Sequence, residues 1–187
     1  MDGDDAADWT AAVQGDGEAF GRVYDRRKAS VRRQAQRLLD RPADVEDAVA
    51  IVFLEAWRKR WALRLVDDSL LPWLLVTTTN VARNVRRGRV RYDRLLAHLP
   101  VPADGPDPAD LVDDEGVLAA LRGLSLADQQ VLTLCVLEDR SERDAAHVLG
   151  VAPGTVKSRL HRAKHRLAHR LGRSTGPASG RGISDGA

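Results

Sequence analysis

Residues 141–167 read SERDAAHVLGVAPGTVKSRLHRAKHRL, and the order of parts in that stretch decides the fold. Ser141 stands three residues before Asp144, the spacing of a capping pair that opens a helix. Ala145, Val148 and Leu149 give that short helix an apolar side, and Gly150 is a natural residue just past a helix end. Gly150-Val151-Ala152-Pro153 then makes a turn, and a basic helix starts near Pro153-Gly154-Thr155. A short helix, a tight turn and a second, basic helix form the helix-turn-helix pattern. Val156, Leu160, Ala163 and Leu167 recur at helical spacing and face back onto the first helix.

In such a motif the N-terminal part of the second helix enters the major groove and touches base edges. The face opposite the apolar stripe carries Thr155, Lys157, Ser158, His161, Arg162 and His165. Lys157, Arg159 and Arg162 suit guanine edges or phosphates, while Thr155 and Ser158 serve either role. These seven residues are the candidate duplex-reading set. His161, His165 and His169 share a helical face as metal ligands would, but Arg162, Lys164, Arg166 and Arg170 surround them. Such a concentration of positive charge disfavours a divalent cation, so we assign no metal site and expect no cofactor.

Upstream, Ser125 precedes Asp128 by three residues and opens a helix expected to run through Leu137. The single cysteine, Cys135, lies in its apolar run Val131–Leu137 and reads as a buried small hydrophobe. One cysteine also excludes an intrachain disulfide framework and a thiolate metal cluster.

Further upstream, His98–Pro108 holds four prolines with acids and a glycine, which no helix can continue. This is a linker, and roughly 15 to 18 extended residues reach about 50–60 Å. That is of the order of one and a half turns of B-DNA at roughly 34 Å per turn, so two domains can occupy separate DNA sites.

The first half reads as all-α. A helix from near Asp16-Gly17-Glu18 to Leu39 carries Phe20, Val23, Tyr24, Val31, Ala35 and Leu38 at helical spacing. Asp40-Arg41-Pro42 breaks it, and a helix over Ala43–Lys59 follows, with Val45, Val49, Val52, Phe53, Ala56 and Trp57 as its apolar face. A third begins at Ser69 or Leu70, tolerates Pro72 in its first turn and runs through Trp73, Val76, Asn80 and Val81 into an arginine-rich end. The expected boundaries are 8–96 for the first domain, 97–112 for the linker, 113–171 for the second domain and 172–187 for a disordered Gly- and Ser-rich tail.

Charge is segregated along the chain. The formal net charge is only +2 over 187 residues, with 43% hydrophobic and 30% charged residues. Yet Arg83–Arg94 holds six arginines against Asp93, Ala103–Glu115 holds six acids and no base, and Arg140–Arg173 has nine bases to two acids. Such blocks suit a protein that touches nucleic acid at two separated places. The start of the chain has neither a basic leader nor an apolar signal core, and no apolar run approaches the roughly 20 residues of a membrane span. A cytoplasmic protein is expected. There is no phosphate loop, no His-Glu-x-x-His pattern and no candidate activated nucleophile, so an enzyme is not.

Two blocks carry a family resemblance. Leu121-Arg122-Gly123-Leu124, Asp128-Gln129-Gln130-Val131-Leu132 and GTVKSRLHRAKHRL (154–167) resemble region 4 of extracytoplasmic-function (ECF) sigma factors. Glu18-Ala19-Phe20, Val45–Val49, Phe53–Arg58 and PWLLVTTTNVARNVRR (72–87) are similar to region 2. The resemblance implies two small helical domains, a three- to four-helix bundle and a helix-turn-helix, joined by a flexible acidic linker. It implies core RNA polymerase as partner, through the β′ clamp and β flap, and promoter DNA, with region 4 reading the −35 duplex and region 2 capturing the melted −10 element. It also implies an anti-sigma partner and a monomer when free.

The local chemistry agrees. Trp57-Arg58-Lys59-Arg60-Trp61-Ala62-Leu63-Arg64 interleaves aromatics with bases, a combination that holds unstacked bases and their backbone. The candidate −10 set is Trp61, Arg64, Asn80, Arg83, Asn84, Arg86 and Arg87; Trp57 and Trp73 sit at apolar-face positions, which suit core packing more often than base contact but leave both open. Asp44, Glu46, Asp47 and Glu55 are the candidate contacts to a basic clamp surface. One departure stands out: Ala50-Ile51 occupies the place where many members carry a Gln-Glu pair. The rival reading, an autonomous regulator binding duplex DNA as a dimer, leaves the arginine-rich third helix and Trp61 without a purpose.

Overall fold

The structure is a computed structural model that describes residues 5–96 and 114–174. Among the described residues it is all-α. The first half comprises α1 (Ala6–Val13), α2 (Gly17–Leu38), α3 (Pro42–Lys59) and α4 (Leu71–Leu96). The second comprises α5 (Asp114–Arg122), α6 (Leu126–Leu132), α7 (Glu142–Leu149) and α8 (Pro153–Ser174), with a π-helical extension of α6 over Thr133–Leu137. The expected linker (97–112) and most of the expected tail (175–187) lie outside the described residues.

Local chemistry places the helix starts where the sequence puts them. The Asp16 carboxylate accepts from the backbone N–H groups of Glu18 and Ala19 and opens α2. Ser125 accepts from Asp128 N–H to open α6, and Ser141 from Asp144 N–H to open α7. Gly150 ends α7 at φ 64°, a left-handed conformation that glycine adopts without a Cβ clash.

Four features differ from the sequence expectation. α1 is an additional helix, α5 precedes the expected second-domain helices, and α8 continues beyond Leu171 through Ser174. The fourth is the apolar run at Cys135. It is core only to Leu134; Cys135 is half-buried and Val136 and Leu137 are exposed, because the π turn rotates the last residues out of the packed face.

In the first half α2 packs against α1, α3 and α4, and α3 against α4. Val23, Val31, Val52 and Leu74 are fully buried at the centre. Phe20 stands between Trp9, Phe53 and Trp57, with ring centroids 6.3, 6.4 and 5.1 Å away. Trp57 is therefore packed on one face, and Trp73 is partly buried against the same core. The α2 stripe has polar residues at Arg27 and Gln34, both buried. Each has a buried partner: Arg27 Nε donates to Asp5, and Gln34 Nε2 donates to Thr79 Oγ1 and Thr133 Oγ1 at 3.3 and 2.9 Å. Without Thr79 and Thr133 the Gln34 amide would cost the free energy of an unsatisfied buried polar group.

In the second half α8 packs on α5, α6 and α7, with Val156 and Ala163 fully buried and Leu160 and Leu167 partly so. Asp128, almost completely buried on α6, takes a two-pronged ion pair from Arg166 at 2.9 and 2.7 Å. Burial pushes its carboxyl upward, but Arg166 and the Ser125 hydroxyl outweigh that and hold it below the usual carboxylate range. The two halves lie against each other: α4 meets α6, its π extension and α7, and α2 meets α5.

Candidate nucleic-acid interface

The helix-turn-helix presents the duplex-reading set as a surface. Lys157, Ser158, His161, Arg162 and His165 are exposed, and Thr155 and Arg159 are half-buried at its margin. Ser158 Oγ donates to Thr155 O and Arg162 Nε to Ser158 O, at 3.0 and 3.1 Å, so both side chains are held along the helix. The His161 and His165 rings meet edge to face at 4.7 Å. Among the described residues no group of three or more His, Cys, Asp or Glu side chains is placed to hold a metal ion.

A second candidate surface lies around the end of α3. Trp61 is 65% exposed. The Arg60 guanidinium sits between two indoles, 4.2 Å from the Trp57 centroid and 4.5 Å from that of Trp61, and donates to Trp57 O. This cation–π sandwich orients Trp61 and leaves it free to stack on an unpaired base. Arg60 lies in the aromatic–basic run but is not among the candidate −10 residues; the i, i+4 spacing of Trp57 and Trp61 is the sequence signal for its place.

The segment after Trp61 is pinned from a distance. Asp5, completely buried, accepts from Arg26 and Arg27 and from the backbone N–H of Leu70, while Asp5 N–H donates to Asp68 O. Asp8 extends the cluster; its ion pairs with Arg26 and Arg22 hold its carboxyl low. Asp67 and Asp68 have positive φ values of 48° and 55°, and Asp67 is tied to Arg140 of the other half at 2.8 Å. No local pattern signals a 65-residue pairing such as Asp5 with Leu70.

The remaining −10 candidates divide. Arg64, Arg83, Asn84 and Arg87 are exposed. Asn80 Oδ1 accepts from Gln130 Nε2 at 2.9 Å, and the exposed Arg86 donates to Arg122 O at 2.9 Å, so the second half engages both. Arg122 closes the junction by donating to Arg37 O and Gln36 O and pairing with Asp40.

The clamp candidates are mostly paired within the chain. Asp44 meets Arg89, Glu46 meets Arg32, and Glu55 meets Lys59 and Arg58; the Lys59 ammonium keeps the Glu55 carboxyl below its ordinary value. Asp47 is exposed, beside Ala50, Ile51 and Leu54, of which Ile51 and Leu54 are 41% and 56% exposed. The departure at Ala50-Ile51 thus turns part of that face apolar.

Residues 23–92 match Sigma-70 region 2, and residues 114–167 match Sigma-70, region 4. The ECF RNA polymerase sigma factor SigE of Mycolicibacterium smegmatis is 32% identical over 141 residues, covering 72% of this chain and 54% of SigE. SigM of Mycobacterium tuberculosis, another ECF RNA polymerase sigma factor, is 31% identical over 165 residues, 86% of this chain and 81% of SigM. Against three of its curated relatives the chain spans between 40% and 60% of their length. The solved structure of the sigma factor RpoE with the anti-sigma factor NepR, from Bartonella quintana, is similar at TM-score 0.55 and 27% identity, covering 78% of this chain and 91% of that one. With both regions present in order and a relative matched over most of both chains, the chain belongs to the extracytoplasmic-function family of RNA polymerase sigma factors.

Proposed function

We propose that this protein binds core RNA polymerase and directs promoter-specific initiation, with domains at 8–96 and 113–171 dividing the promoter between them. The observation that carries this reading is the pairing, in one chain, of an exposed basic recognition helix with an exposed, arginine-backed Trp61. The α8 set (Thr155, Lys157, Ser158, Arg159, His161, Arg162 and His165) reads the −35 duplex. Trp61, Arg64 and the α4 set (Asn80, Arg83, Asn84, Arg86 and Arg87) hold the melted −10 strand. Stacking on Trp61 and phosphate neutralisation by the arginines lower the cost of opening the duplex.

On α3, Asp47 with the neighbouring Ile51 and Leu54 faces the polymerase clamp, and Asp44, Glu46 and Glu55 set the charge around it. The chain contributes binding energy and performs no bond chemistry; catalysis belongs to the polymerase. The RpoE–NepR complex supports an anti-sigma protein as a further partner. No described helix is long and apolar enough to cross a membrane, and a partner of RNA polymerase works in the cytoplasm.

The test is run-off transcription with purified bacterial core polymerase on fragments of the source genome. Discrete start sites that appear only with this protein are the expected result. Footprints on duplex DNA by the protein alone, with no initiation, would instead identify an autonomous regulator.

A further inference from the structure

The junction between the halves encloses a cleft of about 450 Å³, lined on the α4 side by Arg83, Arg86, Arg87 and Arg91 and at one end by Arg122. Arg83, Arg87 and Arg91 stand four residues apart, which stacks three guanidinium stems along one helical face. None of the three makes a hydrogen bond or ion pair with a described residue, whereas Arg122 is neutralised by Asp40. No described acid lines the cleft. Like charges at this spacing repel, so the face is stabilised by an anion that spans more than one of them.

The opposite wall has different chemistry. On the α5–α6 side Leu124 and Leu126 line the cleft beside Ser125 and Gln129, and with Ala82 and Val90 of α4 they give it apolar surface next to the arginine row. A cavity of this size suits a small organic ligand. One with adjacent anionic groups and a flat, weakly polar ring system would satisfy both walls. We propose that the cleft binds a small polyphosphate ligand of the nucleoside di- or triphosphate class, with its phosphates on Arg83, Arg87 and Arg91 and its base against the Leu124–Leu126 wall. Because α4 belongs to one half and the α5–α6 turn to the other, the ligand clamps the halves together and favours the closed arrangement by mass action.

The regulatory consequence rests on the proposed function, since Arg83 and Arg87 are also assigned to the −10 strand. A nucleotide in the cleft and a single strand compete for them.

Calorimetric titration of the full chain at low salt, with ADP, AMP, adenosine and inorganic pyrophosphate as probes, tests the site without transcription. Expected are one ADP per chain, affinity at least tenfold above that of AMP, and no heat from adenosine. Val90→Glu places a carboxylate in the cleft at a position already 50% exposed, so it spares the fold; it should weaken ADP at least tenfold, and Arg91→Ala about fivefold. Arg143→Ala, an exposed arginine on α7 outside the cleft, should change nothing. Equal loss in Arg143→Ala, or no heat from ADP and pyrophosphate at millimolar concentration, overturns the site. If a single-stranded oligonucleotide binds while ADP neither binds nor displaces it, the arginines serve the strand alone; this inference fails and the proposed function stands. Arg91-dependent ADP binding in a protein that supports no initiation would keep the site and remove the proposed function.

Discussion

α8 and the second half of α4 are both basic helices assigned to DNA, and the molecule treats them in opposite ways. α8 is docked by a fully buried pair, Val156 and Ala163, and its reading face meets only its own turns. α4 presents Asn80 and Arg86 to the other half, where Gln130 and the Arg122 carbonyl engage them, and the arginines beyond line the junction cleft. On the proposed assignment a duplex therefore meets α8 with no rearrangement. On the same assignment a melted strand meets the full α4 set only when the halves part, because Asn80 and Arg86 are engaged across the junction. The difference is chemical: α8 docks through a fully buried apolar face with the Arg166–Asp128 pair beside it, while the polar contacts that engage Asn80 and Arg86 across the junction are ones that solvent and nucleic acid can replace.

The largest effect is expected where the strand-capturing half is anchored. Asp5 is completely buried against Arg26, Arg27 and Leu70 N–H. Asp5→Ala removes at one stroke the acceptor of the buried Leu70 N–H and of two arginine donors, which costs about 3–5 kcal/mol. Urea denaturation should show that loss, and the loop after Trp61 should exchange its amide hydrogens faster. A loss below about 1 kcal/mol would mean that these donors find other acceptors, and that the loop is held by something other than Asp5.

Asp128→Asn strikes the other half. Arg166 is 50% exposed, so solvent screens part of the pair, and the cost should be about 1–3 kcal/mol. The Asp128 carboxyl is depressed in the folded state, so it binds its proton more weakly there than when unfolded. Its stabilisation is present above the ordinary carboxylate value, about 3.9. It disappears as pH falls through the lower folded value. The wild type should lose stability over that acid range more steeply than Asp128→Asn, and parallel acid-denaturation curves would count against the pair.

The two surfaces separate by a crossed pair of variants. Arg162→Ala should weaken duplex −35 binding by about 1–3 kcal/mol and leave strand capture alone. Trp61→Ala should cost about 1–3 kcal/mol in binding of unpaired −10 DNA and leave duplex binding alone. Equal loss of both activities in either variant would show that its side chain supports the fold and does not read DNA.

How much of this was legible in the sequence depends on the range of the interaction. Caps at Asp16, Ser125 and Ser141, the left-handed Gly150 and the Val156–Ala163 stripe are decided within one or two helical turns, and each stands where its spacing puts it. The short α1 escaped, since its stability comes from Trp9 and Asp5 packing on distant elements and not from a periodic run of its own. The α2 stripe has polar gaps at Arg27 and Gln34, and nothing nearby in sequence signals that both are buried. Their partners, Asp5 and Thr133, lie 22 and 99 residues away, and the fold alone reveals them. The candidate DNA residues were readable by type, because arginine, asparagine and tryptophan carry their chemistry with them. Which of them the other half would engage was not, because that depends on how the two halves pack.

The smallest expected effect tests the comparison most directly. Gln130 Nε2 donates to Asn80 Oδ1 across the junction, in a partly buried setting. A neutral hydrogen bond of this kind contributes about 0.5–1.5 kcal/mol net. Gln130→Ala removes it, yet leaves Asn80 near enough to water to be solvated, so the loss belongs at the lower end of that range. The variant should therefore fold as well as the wild type. Its closed arrangement should weaken by roughly threefold, since each 1.4 kcal/mol is a factor of ten. Binding of single-stranded −10 oligonucleotide should rise by up to that factor, while duplex −35 binding stays constant because α8 never depended on the junction. Gln34→Ala should move the same way at a larger cost in stability, because Gln34 is fully buried and bonds Thr79 of its own half as well as Thr133 across the junction. Unchanged strand binding in both would mean that Asn80 is reached with the halves together, and the contrast between an open recognition helix and a covered capture face would collapse.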